Sequence, residues 1–234
     1  MSDSPGIRAI TLDVDGTLYS IRSMLVRNPL AMMSMMDFFR DLHRVRDEMR
    51  GREPSEDFRA EQARRLAKAR GLSQEQAARQ VEEVIDRRWM KVFSKVQPYR
   101  GVRQALQNLA RRGIKLGLLS DYPISAKLDG IGLSDLPFDA MVVSEQVGAL
   151  KPHPASFVQA ARVLGVEPRM ILHVGDKEDC DVEGALAAGM RAALFHRGRK
   201  APVTRAEIVF SDWRKFVSLL NDRRLIAPDL RSPE

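Results

Sequence analysis

The sequence predicts an α/β fold: a three-layer αβα core on a mostly parallel sheet, interrupted by an inserted α-helical cap domain. Short apolar runs recur along the chain, separated by stretches of helical spacing, which is the pattern of βαβ units. Polar or acidic residues stand at the C-terminal ends of several of those runs. Between positions 20 and 97 no strand pattern occurs, only helical periodicity.

The first run, residues 7–12, carries Ile7, Ala9, Ile10 and Leu12 into Asp13-Val14-Asp15-Gly16-Thr17. A buried strand that ends in carboxylates is costly unless they meet water or a cation. In an open α/β sheet that end is where ligands bind. Helical spacing over 102–111 precedes a second run at 114–119, and a third follows at 140–143. A helix over 155–164 stops at Gly165 before the fourth run, 170–174. Another over 182–188 stops at Gly189 before the fifth, 191–195, and 208–210 reads as an edge strand. Right-handed crossovers put helices on both faces of such a sheet, a Rossmann-like arrangement.

Within the interruption, Met32, Met35, Met36, Phe39, Leu42, Val45 and Met49 recur at helical spacing, read as a plain helical core. Residues 51–55, with Pro54, break the pattern. A second helix over 58–69 ends at Gly71, and Ser73 reads as the N-cap of a third with Val81, Val84, Ile85, Trp89 and Val92 on one face. Pro98 marks the return. The expected division is a core of residues 1–19 and 98–234 and a cap of residues 20–97. The stretch 221–234 reads as a loose tail.

At 44% hydrophobic and 29% charged residues, the composition is that of an ordinary globular protein. No stretch approaches the roughly 18 apolar residues of a membrane span. The first residues, Met1-Ser2-Asp3-Ser4-Pro5-Gly6, lack the pattern of a signal peptide, and the lone Cys180 fits a reducing compartment. A cytoplasmic location is therefore expected, with no membrane partner. The formal net charge is +7, but the arginines are mixed with acids and aromatics are only 6%, which disfavours nucleic acid. A mildly positive field also draws small anions toward a cleft. No pattern in the chain assigns an oligomeric state.

If the strands are parallel, four groups meet on one rim: Asp13 with Asp15, Ser120, Lys151, and Asp176 in Gly175-Asp176-Lys177-Glu178-Asp179-Cys180-Asp181. Together they suit phosphoryl transfer. A carboxylate can attack phosphorus to form an aspartyl-phosphate. Its repulsion from the phosphate calls for a cation, and Asp13 and Asp176 with a backbone carbonyl form the hard oxygen shell that Mg²⁺ prefers. Ser120 can donate to a phosphate oxygen, and Lys151 offers a point charge to it and to Asp13. Asp15 can protonate the departing alkoxide and then deprotonate water. Such acid–base help is worth roughly 10²- to 10⁴-fold, far below the ~10²¹ that phosphate-monoester hydrolysis can require. Metal, lysine and positioning must carry most of the effect.

With these four motifs in order across nearly the whole chain, the sequence resembles the haloacid dehalogenase-like hydrolase superfamily, in the phosphatase branch with a helical cap after the first motif. The resemblance implies Asp13 as nucleophile and metal ligand, and Asp15 as acid/base and, through its main-chain carbonyl, a metal ligand. Ser120 and Lys151 fall on the second and third motifs. Asp176 is implied as a metal ligand, with Asp181 as its partner in the metal site. Gly16 sits at the expected tight turn. Asp121 stands where the family often has Asn, as does Cys180. His153 and His173 flank motifs and read as packing or solvent-facing residues.

The expected function is Mg²⁺-dependent hydrolysis of a small phosphorylated metabolite. A sugar phosphomutase is the alternative, since the motifs do not decide whether water or a sugar receives the phosphoryl group. A binding protein on the same scaffold would predict damaged ligands, whereas Asp13 and Asp176 are intact. A dehalogenase is disfavoured because that branch lacks the second aspartate, here Asp15.

Overall fold

The computed structural model describes residues 6–226. Residues 1–5, read above for a leader, and 227–234 of the expected tail lie outside the described residues. Six strands, β1 (Ala9–Leu12), β2 (Lys115–Ser120), β3 (Ala140–Val143), β4 (Ile171–Gly175), β5 (Arg191–Phe195) and β6 (Ile208–Phe210), form one sheet. Their order is β3-β2-β1-β4-β5-β6, and every neighbouring pair is parallel. The chain therefore starts in the middle, winds out one way to β3, and crosses back to β4. The crevice at that reversal, beside the end of β1, is where ligands bind in doubly wound sheets.

Helices α1 (Ile21–Arg27), α2 (Pro29–Met33), α3 (Met36–Met49), α4 (Phe58–Arg70) and α5 (Gln74–Val81) lie between β1 and β2. Two wide turns over Glu82–Trp89 continue α5 into α6 (Met90–Val92). Then come α7 (Val102–Arg111), α8 (Ser125–Ile131), α9 (Ala155–Leu164), α10 (Glu183–Ala187) and α11 (Phe216–Asp222). Alternation along the strands sorts the layers. Ile10, Leu12, Leu116, Leu118, Leu172 and Val174 face α7, α8 and α11. Ala9, Leu119, Ala140, Val142, Ile171 and Ala192 face α9 and α10. The second layer is lined by small residues: a Cβ at Gly117 would stand 3.1 Å from Thr11 Cγ2 and 3.3 Å from Leu164 Cδ1, so glycine there lets α9 approach the sheet.

The helical insert is tied to the same core, since Phe38, Leu42, Val45, Trp89 and Phe93 pack in one apolar cluster with the sheet residues facing α7. Its ends pair with each other: Tyr19 bridges Pro98, and Tyr99 N donates to Leu18 O at 2.8 Å. Ser73 caps α5 reciprocally with Gln76, as its position suggests. Three local expectations change. The methionine run is broken by a turn at Ser34, and Met33 and Met36 project into solvent while Met35 and Met49 are buried. Helices α1 and α8, each only two turns long, repeat too few times for their spacing alone to mark them as helices. The start of the expected tail is held down: Leu225 and Ile226 are buried, and Ile7 N donates to Leu225 O at 2.8 Å.

Gly130 of α8 packs against the exit of the insert, where a Cβ would stand 2.5 Å from Phe93 Cβ and 2.9 Å from its carbonyl carbon. Alanine in a helix is normally better than glycine by up to about 1 kcal/mol, but overpacking costs about 1–3 kcal/mol. Gly130→Ala is expected to destabilise the protein by about 1–2 kcal/mol in urea denaturation.

Candidate active site

The β1 ladder runs one residue past the strand: Asp13 N donates to Val174 O at 2.9 Å, which fixes the Asp13 side chain at the crevice. The chain then turns at Gly16, with φ of +100°, where a side chain is strained and its Cβ would run into Asp176 Oδ2. Thr17 Oγ1 donates to Asp13 Oδ2 at 2.9 Å, and Trp213 Nε1 braces the same turn by donating to Thr17 O at 3.1 Å. Lys151, buried in the loop beyond β3, donates from Nζ to Asp13 Oδ1 and to Asp181 Oδ1, each at 2.6 Å. Asp181 Oδ2 accepts from the backbone N–H groups of Asp176 at 3.1 Å and Lys177 at 3.0 Å. Carboxylate oxygens of Asp13, Asp176 and Asp181 lie within 4.8 Å of one another. Asp176 Oδ1 is buried with no hydrogen-bond partner among the described residues.

Asp15 sits beside this group with both oxygens engaged. Oδ1 accepts from the Tyr19 hydroxyl, and Oδ2 from Lys127 Nζ at 2.5 Å and from Ser120 Oγ at 3.4 Å. Ser120 Oγ in turn accepts from Tyr122 N at 3.2 Å.

Crowding of like charge governs the electrostatics. Burial pushes the Asp13 carboxyl up, Lys151 pulls it down, and Asp181, Asp176 and Asp15 push it up again, leaving it above the ordinary range. Asp176 is also raised, by burial first and then by Asp181. Asp181 goes the other way: burial is outweighed by Lys151 and His173. Lys151 is held well above its usual value, because the pull of Asp13, Asp181 and Asp121 overcomes burial. Among the described residues, the buried ammonium groups that Asp13, Asp15, Asp176 and Asp181 face when ionised are Lys151 and Lys127. That imbalance, with the unpartnered Asp176 oxygen, fits a divalent cation held by hard oxygens.

The insert closes over these groups. From α3, Arg46 is 2% exposed. Its Nη1 donates to Glu145 Oε2 at 3.0 Å and Gln62 Oε1 at 2.9 Å, and its Nη2 to Asp121 O at 2.5 Å. Its guanidinium lies 4.0 Å from the Tyr122 ring centroid. One turn on, Arg50 donates to Asp121 Oδ2 at 2.7 Å and to the Lys151 carbonyl. Asp121 Oδ1 accepts from Lys151 N at 3.1 Å. Burial alone would raise Asp121, but Lys151, Arg50 and Arg46 keep it below its ordinary value. What remains above Asp13 is a cavity of about 60 Å³, walled on the insert side by Arg50.

Thus the structure brings Asp13, Asp15, Ser120, Lys151, Asp176 and Asp181 together at the strand ends. His173 is fully buried against Thr11 Oγ1 and the Phe157 ring, 3.6 Å from Asp181, and burial lowers its basicity. His153 accepts from Ala155 N at 3.2 Å, at the start of α9. Burial pushes the Cys180 thiol up to about 11, so it is a poor nucleophile. Sequence reasoning missed Lys127, Arg46, Arg50 and the hydroxyl of Tyr19. The first two had a signal: Lys127 falls on the stripe of Ile124, Leu128 and Ile131, and Arg46 on that of Leu42, Val45 and Met49. A cation on a buried stripe needs a partner.

A family model described as haloacid dehalogenase-like hydrolase matches residues 7–189. A glyceraldehyde 3-phosphate phosphatase from Methanopyrus kandleri is 31% identical over 211 residues, 82% of this chain and 85% of that protein. A phosphoglycolate phosphatase from Cereibacter sphaeroides is 39% identical over 109 residues, covering 45% of this chain and 48% of its own length. That match spans about half of the relative. Among solved structures, a 2-haloacid dehalogenase from Pseudomonas syringae pv. Tomato DC3000 superposes with a TM-score of 0.67 at 23% identity, over 93% of this chain and 99% of that one. A likeness at that identity bears on the fold alone.

Breaking a buried ion pair typically costs about 3–5 kcal/mol. Arg46→Met is expected near the lower end, about 3 kcal/mol in urea denaturation, because Glu145 Oε1 keeps Arg59 at 2.7 Å. Glu145→Gln placed on top of it should recover part of the loss in a double-mutant cycle.

Proposed function

We propose that this chain, which belongs to the haloacid dehalogenase-like hydrolase family, hydrolyses phosphate monoesters of small metabolites through a phosphorylated Asp13. The observation that carries the reading is the meeting of the Asp13, Asp176 and Asp181 carboxylates with Lys151 Nζ bridging Asp13 and Asp181. The names of the two phosphatases above, on glyceraldehyde 3-phosphate and phosphoglycolate, support a small phosphorylated substrate.

In this reading Asp13 and Asp176, with the Asp15 main-chain carbonyl, would hold Mg²⁺, which supplies charge neutralisation between the nucleophile and the phosphate when bound. Asp181 completes the acidic site, but its oxygens are already committed to Lys151 and two backbone donors, so its part is to hold Lys151 and the Asp176 loop in place. Asp13 attacks phosphorus as the ester P–O bond breaks, and the electron pair of that bond goes to the leaving oxygen, which takes a proton from Asp15. Water then attacks the phosphorus and gives its proton to Asp15, and the Asp13–phosphorus bond breaks to release inorganic phosphate. Ser120 and Lys151 bind the phosphate oxygens.

The closed cavity of about 60 Å³ is far below the roughly 300–1,000 Å³ of sites that enclose a drug-sized ligand. The reading therefore takes residues 20–97 as a cap that opens to admit substrate and closes to exclude water. Its hinges are at the Tyr19–Pro98 pairing. Among the described residues, Arg50 is the cap cation that lines this cavity.

Phosphate release from a metabolite panel with Mg²⁺ tests the reading. Asp13→Asn is expected to lower the rate by at least about 10⁴-fold. EDTA should abolish turnover, with recovery on added Mg²⁺. Activity retained in either case overturns the mechanism.

A further inference from the structure

The molecule buries a second ammonium that the reaction above does not use. Lys127, in α8, is 0% exposed, and among the described residues Asp15 is the carboxylate it meets. The rest of its surroundings are rings, with centroids 4.5 Å away for Trp89, 5.3 Å for Tyr122 and 5.8 Å for Phe93. Tyr122 follows β2 in the core, whereas Trp89 and Phe93 belong to the last stretch of the insert. Tyr19, which holds the other oxygen of Asp15, packs edge-on against Phe93 at 5.4 Å. Both oxygens of Asp15 are therefore gripped by side chains that lean on the same few rings.

Stability alone does not explain this pair. Replacing both members of a buried ion pair with apolar groups of similar volume is often neutral or stabilising. What a cation adds is a fixed direction for the carboxylate it meets. A proton donor must lie within hydrogen-bond reach of the oxygen it serves, so direction is what acid catalysis demands.

We infer that Lys127 is a positioning residue for Asp15: with Tyr19 it sets the orientation of that carboxylate at the cavity wall, and Trp89 and Phe93 complete its box when the insert is seated. Seating of the insert and aiming of the acid are then one event. The inference rests on the phosphatase reading, with Asp15 as proton donor to the leaving oxygen.

The test separates aim from architecture by choice of leaving group. An alkoxide needs the proton as the P–O bond breaks, whereas 4-nitrophenolate departs as a stable anion. With Mg²⁺ present, Lys127→Met is expected to lower kcat on glycerol phosphate by about 10- to 10²-fold, and on 4-nitrophenyl phosphate by less than about 3-fold, with KM little changed on both. Trp89→Leu should give the same selective loss in smaller degree. In an Asp15→Asn background, Lys127→Met should add no further selectivity. Equal losses on the two esters, or no loss, overturn the inference, and if Lys127→Met does not fold, Trp89→Leu carries the comparison. Wild-type protein that releases phosphate from neither ester overturns the phosphatase reading and this inference with it. Active wild type with unselective variants overturns this inference alone.

Discussion

Four aspartates crowd one end of a parallel sheet, and the molecule around them is organised to hold that charge. Asp13 is placed by the β1 ladder, and Asp176 and Asp181 by the loop after β4. Their mutual repulsion is relieved by Lys151, whose Nζ meets two of them at once. At such separations and in a buried setting, a pair of opposite charges interacts far more strongly than it would in water. The site thus works as a single electrostatic unit: move the lysine and the acids lose the group that lets them coexist. The missing side chain at Gly16, which lets Asp176 approach, the hydroxyl of Thr17 and the indole of Trp213 serve to keep that unit in register.

The helical insert meets this rim with charge as well as with apolar surface. Arg46 on α3 and Arg50 just past its end both reach Asp121, which itself accepts from the Lys151 backbone. Asp121 therefore stands between the acidic end of the sheet and the insert that covers it. Trp89 and Phe93 close over Lys127, and the Tyr122 ring stands between that group and Arg46. The insert is thus joined to the rim through guanidinium groups and through rings.

The sheet and the meeting of six polar residues at its strand ends were legible because they obey local rules. Apolar runs of strand length end in Asp13, Ser120 and Asp176, and parallel winding brings strand ends together whatever lies between them. Membership of the family rests on the same motifs and on the match over residues 7–189. Other features were not legible, since they depend on contacts between distant elements. Nothing near Lys127 in sequence announces that Asp15, 112 positions away, will be its partner, and nothing near Arg46 announces Glu145, 99 positions away. The methionine run misled in detail because side chains such as Met36 face solvent, on helices whose exposed faces also carry apolar residues.

The neck of the insert has a consequence for how such a protein can change. Tyr19 and Pro98 are neighbours joined by backbone pairing, so everything between them enters and leaves at nearly one point. A different set of helices grafted between those two positions would leave each rung of the sheet in place. In the proposed reading, a replacement that again supplies rings against Lys127 keeps the strand ends working while presenting them to a different molecule.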